Sequence, residues 1–267
     1  MNSQSISDRD FANFQRFIFD AAGITLSPAK KALVCGRLAK RVSAHGLEGY
    51  AAYFALLKKG DAPDEVQTAV DLLTTNETYF FREPKHFELL RAAATAHTGN
   101  APFRVWSAAS SSGEEAYSIA MVLADCLGER PFEVLGTDIS TRVLARARLG
   151  HYPEQRVRQI PQNYLKKYCL KGMGEQQGTL LVDRALRQKV RFAHANLNER
   201  LPDLGLFDVV FLRNVLIYFN GETKRQVVAR VLAPLKRGGF FFIGHSESLN
   251  EVSTDVVQMA PAVYRKP

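Results

Sequence analysis

The sequence predicts an α/β protein: a doubly wound, Rossmann-like sheet preceded by a small all-helical domain and interrupted by a small inserted β subdomain. Three observations carry this prediction. Before about residue 75 the apolar residues recur at helical spacing; from Phe103 onward short apolar runs alternate with helical stretches; and near residues 161–189 that alternation breaks into a hairpin-like pattern with a glycine-rich tip.

In the first region Phe11, Phe14, Phe17 and Ile18 recur at helical spacing, as do Tyr50, Phe54 and Leu57, with breaks at Gly23, Pro28, Gly46 and Gly60. Residues 1–75 are therefore expected to form a helical domain, and residues 76–102 a linker. The runs F-R-V-W-S, F-E-V-L-G-T, V-R-F-A-H-A, F-D-V-V-F-L and G-F-F-F-I-G then read as strands of a parallel sheet covered on both faces, over residues 103–267. Y-L-K-K-Y-C-L, G-M-G-E-Q-Q-G and T-L-L-V-D supply the insertion at about 161–189.

A chain of 267 residues, 46% hydrophobic and 23% charged, is long enough to bury a sizeable core. No apolar run approaches a membrane span, and no basic-then-apolar leader opens the chain, so a cytoplasmic protein without direct membrane insertion is expected. The three cysteines lie far apart without C-x-x-C, and no H-E-x-x-H occurs, so no metal site is expected. The net charge of +8 is concentrated: Ile139 to Arg200 holds thirteen Lys/Arg against four Asp/Glu. Such a field implies an acidic partner, whether nucleic acid, an anionic membrane surface or an acidic protein.

The turn W-S-A-A-S-S-S-G-E-E-A-Y-S-I-A follows the first strand, where a dinucleotide site would carry G-x-G-x-x-G. Here stand a single glycine and two acids, Glu114 and Glu115, which would repel a pyrophosphate and suit a ligand presenting hydroxyls or positive charge. S-adenosylmethionine is such a ligand. The same residues also fit a capping box, Ser112 with Glu115, which would do no more than start a helix. Asp138 ends the second strand about 25 residues after Gly113, a position suited to ribose hydroxyls and equally to capping the next helix. Spacing leaves both pairs of readings open.

Four further strings narrow the field: T-T-N-E-T-Y-F-F-R-E, A-N-L-N-E, F-L-R-N-V-L-I-Y-F and G-H-S-E-S. With the first loop and T-D-I-S, in this order and spacing, the chain resembles the chemotaxis receptor glutamate methyltransferases, the CheR family, over nearly its whole length. The resemblance implies a class I methyltransferase sheet and S-adenosylmethionine as cofactor, with S-adenosylhomocysteine as product. It implies cofactor contacts at Asn76, Thr78 and Arg82 in the linker, Glu115 in the first loop, Asp138, Asn196, Leu197, Arg213 and Asn214, with Arg82 and Tyr218 orienting the reactants. Each has an ordinary counterpart: Asn76 or Thr78 as caps, Arg213 as a surface charge, Leu197 and Tyr218 as packing. The acceptor it implies is a glutamate carboxylate, ionised at neutral pH and needing no general base.

The resemblance also implies partners. Lys30, Arg37 and Arg41 share one helical stripe opposite Ala32, Cys35, Ala39 and Val42, so a basic face looking outward toward the acidic methylation helix of a chemoreceptor is expected; an ordinary solvated face is the alternative. The β insertion could take a receptor C-terminal peptide by strand addition. A nucleic-acid methyltransferase is the rival enzyme, though no N-P-P-Y-like string stands at the fourth strand, and no nucleic acid partner is expected. A scaffold that binds the cofactor without turnover is the rival outside enzymes.

Overall fold

The computed structural model describes residues 5–267, so the first four residues of the expected helical domain lie outside the described residues. The chain divides into two compact units: one runs to Thr75 and takes in Tyr218–Thr223, and the other comprises Asn76–Ile217 and Lys224–Pro267.

The first unit is built from α1 (Asp8–Ala22), α2 (Lys31–Ala44), α3 (Tyr50–Lys58) and α4 (Pro63–Leu73). Ser7 caps α1 by accepting from the amide of Asp10, and Gly23 closes it in the left-handed conformation with its N–H on the Phe19 carbonyl. Phe11, Phe14, Ile18 and Ala22 face inward along α1, a helical period that Tyr50, Tyr53 and Leu57 repeat on α3. On α2 the buried residues are Val34, Leu38 and Val42, whereas Ala32 and Ala39 are exposed.

That rotation corrects the expected basic face. Arg41 turns onto Glu65, donating from Nε to Oε1 at 2.9 Å and from Nη2 to Oε2, and Tyr53 Oη donates to Oε1 at 2.6 Å. Arg37 donates to the carbonyls of Leu73 and Thr74 at 3.1 and 3.0 Å, satisfying the free end of α4. Both arginines therefore stabilise the helical unit from within, and only Lys30 of the three is exposed. The stripe prediction fails because long basic side chains at half-buried positions found buried acceptors that a helical wheel does not reveal.

The second unit opens with α5 (Lys85–Ala96) and continues through β1 (Phe103–Ser107), α6 (Glu114–Leu127), β2 (Phe132–Asp138), α7 (Thr141–Leu149), β3 (His151–Pro153), α8 (Gln162–Tyr168), β4 (Cys169–Lys171), β5 (Thr179–Val182), α9 (Arg184–Arg187), β6 (Val190–His194), β7 (Phe207–Leu212), α10 (Gly221–Leu232), β8 (Leu235–Ile243), β9 (Val257–Ala260) and β10 (Val263–Arg265). The seven-stranded sheet has the order β6-β2-β1-β7-β8-β10-β9. Its first five strands are parallel, and β10 inserts antiparallel between β8 and β9. The strand order reverses at β1, so the carboxyl ends of β2, β1 and β7 flank the crevice where doubly wound folds bind ligands. Burial on both faces explains the continuous apolar runs: Val209, Val210, Phe211 and Leu212 are all fully buried.

A second sheet has the order β3-β5-β4 and is antiparallel throughout. Its edge strand β3 lies upstream of the 161–189 segment from which the insertion was predicted. With only three residues and Pro153 among them, β3 gave too short a signal to be read as a strand. Among the described residues, no helix is long and apolar enough to cross a membrane.

Candidate cofactor and active site

The residues that follow β1, β2, β7 and β8 are tied into one network at the carboxyl ends of the strands. Around the first loop, Ser111 and Gly113 adopt left-handed backbone angles, φ 50° and 95°. A Cβ on Gly113 would stand 2.9 Å from Cβ of Ala147, so α6 can approach α7 this closely only with glycine at its N-cap. Asp138, 6% exposed, accepts the amide of Ser111 on Oδ2 and that of Ser140 on Oδ1, both at 2.9 Å. Its carboxylate thus shapes the first loop and the start of α7 together. Ser111 Oγ in turn donates to the carbonyl of Asn76 at 3.1 Å, fastening the linker to the loop.

The capping box between Ser112 and Glu115 does not form. Glu115 accepts from Ser107 Oγ on Oε1 and from Arg213 Nε on Oε2, each at 2.7 Å. The expectation that both glutamates face a ligand is corrected too: Glu114, fully buried, lies 2.8 Å from Arg156 and accepts from Ser112 Oγ at 2.7 Å. Burial raises its carboxyl above the ordinary value, with the Arg156 charge opposing. Arg156, on the turn after β3, also donates to the carbonyl of Thr78 at 3.2 Å, and Tyr152 of β3 donates to the carbonyl of Ser112 at 2.7 Å. The small sheet is thereby hydrogen-bonded to the linker and the first loop.

Arg213, 6% exposed at the end of β7, is no surface charge. Its Nη1 donates to the Arg82 carbonyl at 2.7 Å and to Glu83 Oε2 at 3.2 Å, and lies 3.1 Å from His86 Nδ1. Phe87 and Phe211 pack against the guanidinium at 5.6 and 5.5 Å. Nη2 makes no hydrogen bond among the described residues. Glu83 is pushed up by burial, but the His245 amide and the Arg213 charge outweigh this and hold it below the ordinary carboxylate value. His86 is held at about 4 by burial and by Arg213, so its ring is neutral at physiological pH. Glu83, His86 and His245 lie close enough together to suggest a metal centre, but the positive charge among them is the Arg213 guanidinium.

The remaining predicted residues are distributed as follows. Asn214, with φ 60°, donates from Nδ2 to Glu83 Oε1 at 3.4 Å. Asn196 accepts the amide of Asn198 and donates to Glu199, forming the turn after β6, while Leu197 is buried. Arg82 donates to the Glu77 carbonyl at 3.3 Å and stacks over Tyr79. Tyr218 packs with the helical unit: its carbonyl accepts the Thr25 amide at 2.8 Å, and Phe219 bridges Ile24.

Sequence reasoning missed Ser107, Glu83, His86 and Glu247. Three of them stood in quoted strings: Ser107 follows Trp106 in W-S-A-A-S-S-S-G-E-E-A-Y-S-I-A, Glu83 closes T-T-N-E-T-Y-F-F-R-E, and Glu247 is the acid of G-H-S-E-S. Backbone strain marks the same region. Of the six described non-glycine residues with positive φ, Glu83, Ser111 and Asn214 belong to this network, and such conformations persist where surrounding contacts impose them.

The strand order, with an acid at the end of the second strand, is that of a Rossmann-like fold, the class to which methyltransferases of this kind belong. Two family models agree. Residues 76–264 match the model of the CheR methyltransferase, SAM binding domain, and residues 9–74 that of the CheR methyltransferase, all-alpha domain. The chemotaxis protein methyltransferase of Klebsiella aerogenes is 39% identical over 97% of this chain and 90% of its own. The Escherichia coli protein of that name is 38% identical over 97% and 91%, and chemotaxis protein methyltransferase 2 of Pseudomonas aeruginosa 40% over 96% and 92%. Among solved structures, the N-methyltransferase NodS of Bradyrhizobium japonicum in complex with S-adenosyl-l-homocysteine aligns over 74% of this chain and 95% of its own, at 13% identity and a TM-score of 0.42. The chain belongs to the CheR methyltransferase family, and its cofactor is S-adenosylmethionine.

The residues present fit that cofactor. Asp138 places a carboxylate at the end of β2, where a ribose diol would lie, and Ser110 Oγ is a buried hydroxyl without a partner among the described residues.

Proposed function

We propose that this chain methylates glutamate side-chain carboxylates in the cytoplasmic methylation helices of chemoreceptors, forming glutamate methyl esters, and that it works in the cytoplasm. The observation that carries this reading is the character of the strand-end network: the Glu115 and Glu83 carboxylates are already committed to fixed hydrogen bonds, and His86 is held neutral. Such a site supplies positioning and fixed charge without a proton relay, which suits an acceptor already ionised at neutral pH.

When bound, S-adenosylmethionine supplies an electrophilic methyl group. Asn76, Thr78, Arg82, Glu115, Asp138, Asn196, Leu197, Arg213 and Asn214 would hold it, with Asp138 accepting from the ribose. Glu115 and Arg213 act in this reading as a mutually neutralised pair that sets the loop geometry, with Arg213 Nη2 left to meet a carboxylate. Arg82 and Tyr218 orient the acceptor or the cofactor in this reading. Barriers can fall by about 7 kcal/mol or more when reacting groups are held in line. The receptor's C-terminal peptide would add to an edge of the small sheet, where β4 is unpaired on its outer side and Leu170 is exposed.

Incubation with methyl-labelled cofactor and either receptor-containing membranes or RNA tests this reading. Label on receptor glutamates that hydrolyses in mild base is expected. Label on RNA supports the nucleic-acid alternative, and cofactor binding without transfer supports the scaffold.

A further inference from the structure

We infer that Glu247 is a positioning residue for methyl transfer, a carboxylate clamp that fixes the loop from Arg213 to Ile217 without touching the reactants. The inference rests on the proposed function and names a residue that the family resemblance left without a role. Oε2 accepts the amides of Gly244 at 2.6 Å and Asn214 at 2.8 Å, and Oε1 accepts that of Ile217 at 3.3 Å. One side chain, reaching over from the loop after β8, thus satisfies amides in the loop after β7. Such loop amides have no strand partner, and leaving one unpaired in a buried site is costly.

The clamped loop needs holding. Asn214 sits at φ 60°, a left-handed conformation that asparagine tolerates better than most residues and that the contacts around it hold in place. Arg213 precedes it, and Tyr218 follows Ile217 by one residue, so both ends of the loop run into residues assigned to cofactor or acceptor. Gly244 completes the device: a Cβ there would lie 2.4 Å from Asn214 Nδ2 and 2.9 Å from Glu247 Oε2, so glycine is what allows the carboxylate and the asparagine to meet. Glu83 braces the same loop from the linker side, accepting from Asn214 Nδ2 and from the His245 amide.

Glu247→Gln is nearly isosteric but turns one acceptor oxygen into an NH2 that faces amide donors. The amides of Asn214 and Ile217 should then exchange hydrogen at least about tenfold faster, and the single-turnover methyl-transfer rate at saturating cofactor should fall by about ten- to a hundredfold, the cost of a misplacement near 1 Å. Gly244→Ala, which attacks the clamp sterically and leaves the carboxylate intact, should reproduce both effects and carries the test if Glu247→Gln does not fold. Leu249→Ala, in the same segment and buried at 2% exposure, is the control: it should lower Tm without changing the transfer rate. Wild-type exchange and rate in Glu247→Gln and Gly244→Ala would overturn the inference, as would an equal rate loss in Leu249→Ala. If the wild-type protein transfers no methyl group to receptor, the proposed function fails, while the exchange measurement still judges the clamp.

Discussion

Arg41 in the helical unit and Arg213 at the end of β7 are each held by a buried glutamate, but their surroundings differ in what they leave over. Around Glu65 both oxygens are used within the unit: Oε1 accepts from Arg41 and Tyr53, and Oε2 from Arg41, with His45 Nε2 at 3.1 Å. The Arg213 knot joins three chain segments through Glu115, Glu83 and the Arg82 carbonyl, yet leaves Nη2 and the Nε2 of His86 without hydrogen bonds among the described residues. A closed knot holds helices together. An open one, at the carboxyl ends of parallel strands and bordered by strained backbone, has capacity for a ligand.

Loss of Arg213 should have the largest effect. Arg213→Met leaves Glu115 and Glu83 facing each other without their cation, which should cost about 3–5 kcal/mol of stability. Calorimetric titration should also show S-adenosylhomocysteine binding lost in whatever fraction stays folded. Retained affinity would remove Arg213 from the cofactor site.

The closed knot should respond to acid instead. Burial pushes Glu65 up, but the hydrogen bonds from Arg41, Tyr53 and His45 outweigh it and hold the carboxyl at about 2, against an ordinary value of 4.5. A depressed pKa contributes stability that is fully present above the unfolded value and is lost as pH falls from about 4.5 toward 2, some ~3 kcal/mol in all. Thermal melts across that window should show Glu65→Gln with a lower Tm at pH 7 and a shallower decline in acid than wild type. An identical pH slope would mean that the knot contributes nothing. Reversing Arg37 and Arg41 to glutamate should unfold this unit rather than disturb receptor recognition alone.

A smaller effect is expected at Asp138. Asp138→Ala should weaken S-adenosylhomocysteine binding by about 1.5–3 kcal/mol, the range for a hydrogen bond to a charged group, and lower Tm because the Ser111 and Ser140 amides lose their acceptor. A lowered Tm with unchanged affinity would leave Asp138 as a cap only. Smallest of all, Tyr152→Phe removes one hydrogen bond between the small sheet and the Ser112 carbonyl, worth about 1 kcal/mol. Chemical denaturation should resolve that loss.

The sheet and its helical preamble were legible in the sequence because apolar periodicity follows directly from which face of an element is buried. The place of Asp138 at the end of β2, capping the chain into α7, was legible as well, since strand-end spacing is local. What the sequence concealed was pairing between distant segments: nothing local tells that Glu114 turns to Arg156, that Arg41 turns inward to Glu65, or that Glu247 reaches the amides after β7. Such choices depend on which acceptor a long side chain finds once the chain has folded, and β3, at three residues, was too short to show its period at all.

The central claim, that the open knot serves methyl transfer to receptor glutamates, is tested most directly by single-turnover labelling of receptor-containing membranes across pH 6–9. The rate should follow the ionised fraction of the acceptor glutamate and so stay level through neutrality, with the label released in mild base. A steep limb near pH 7 that neither substrate nor cofactor titration explains, or label that survives base, would contradict it.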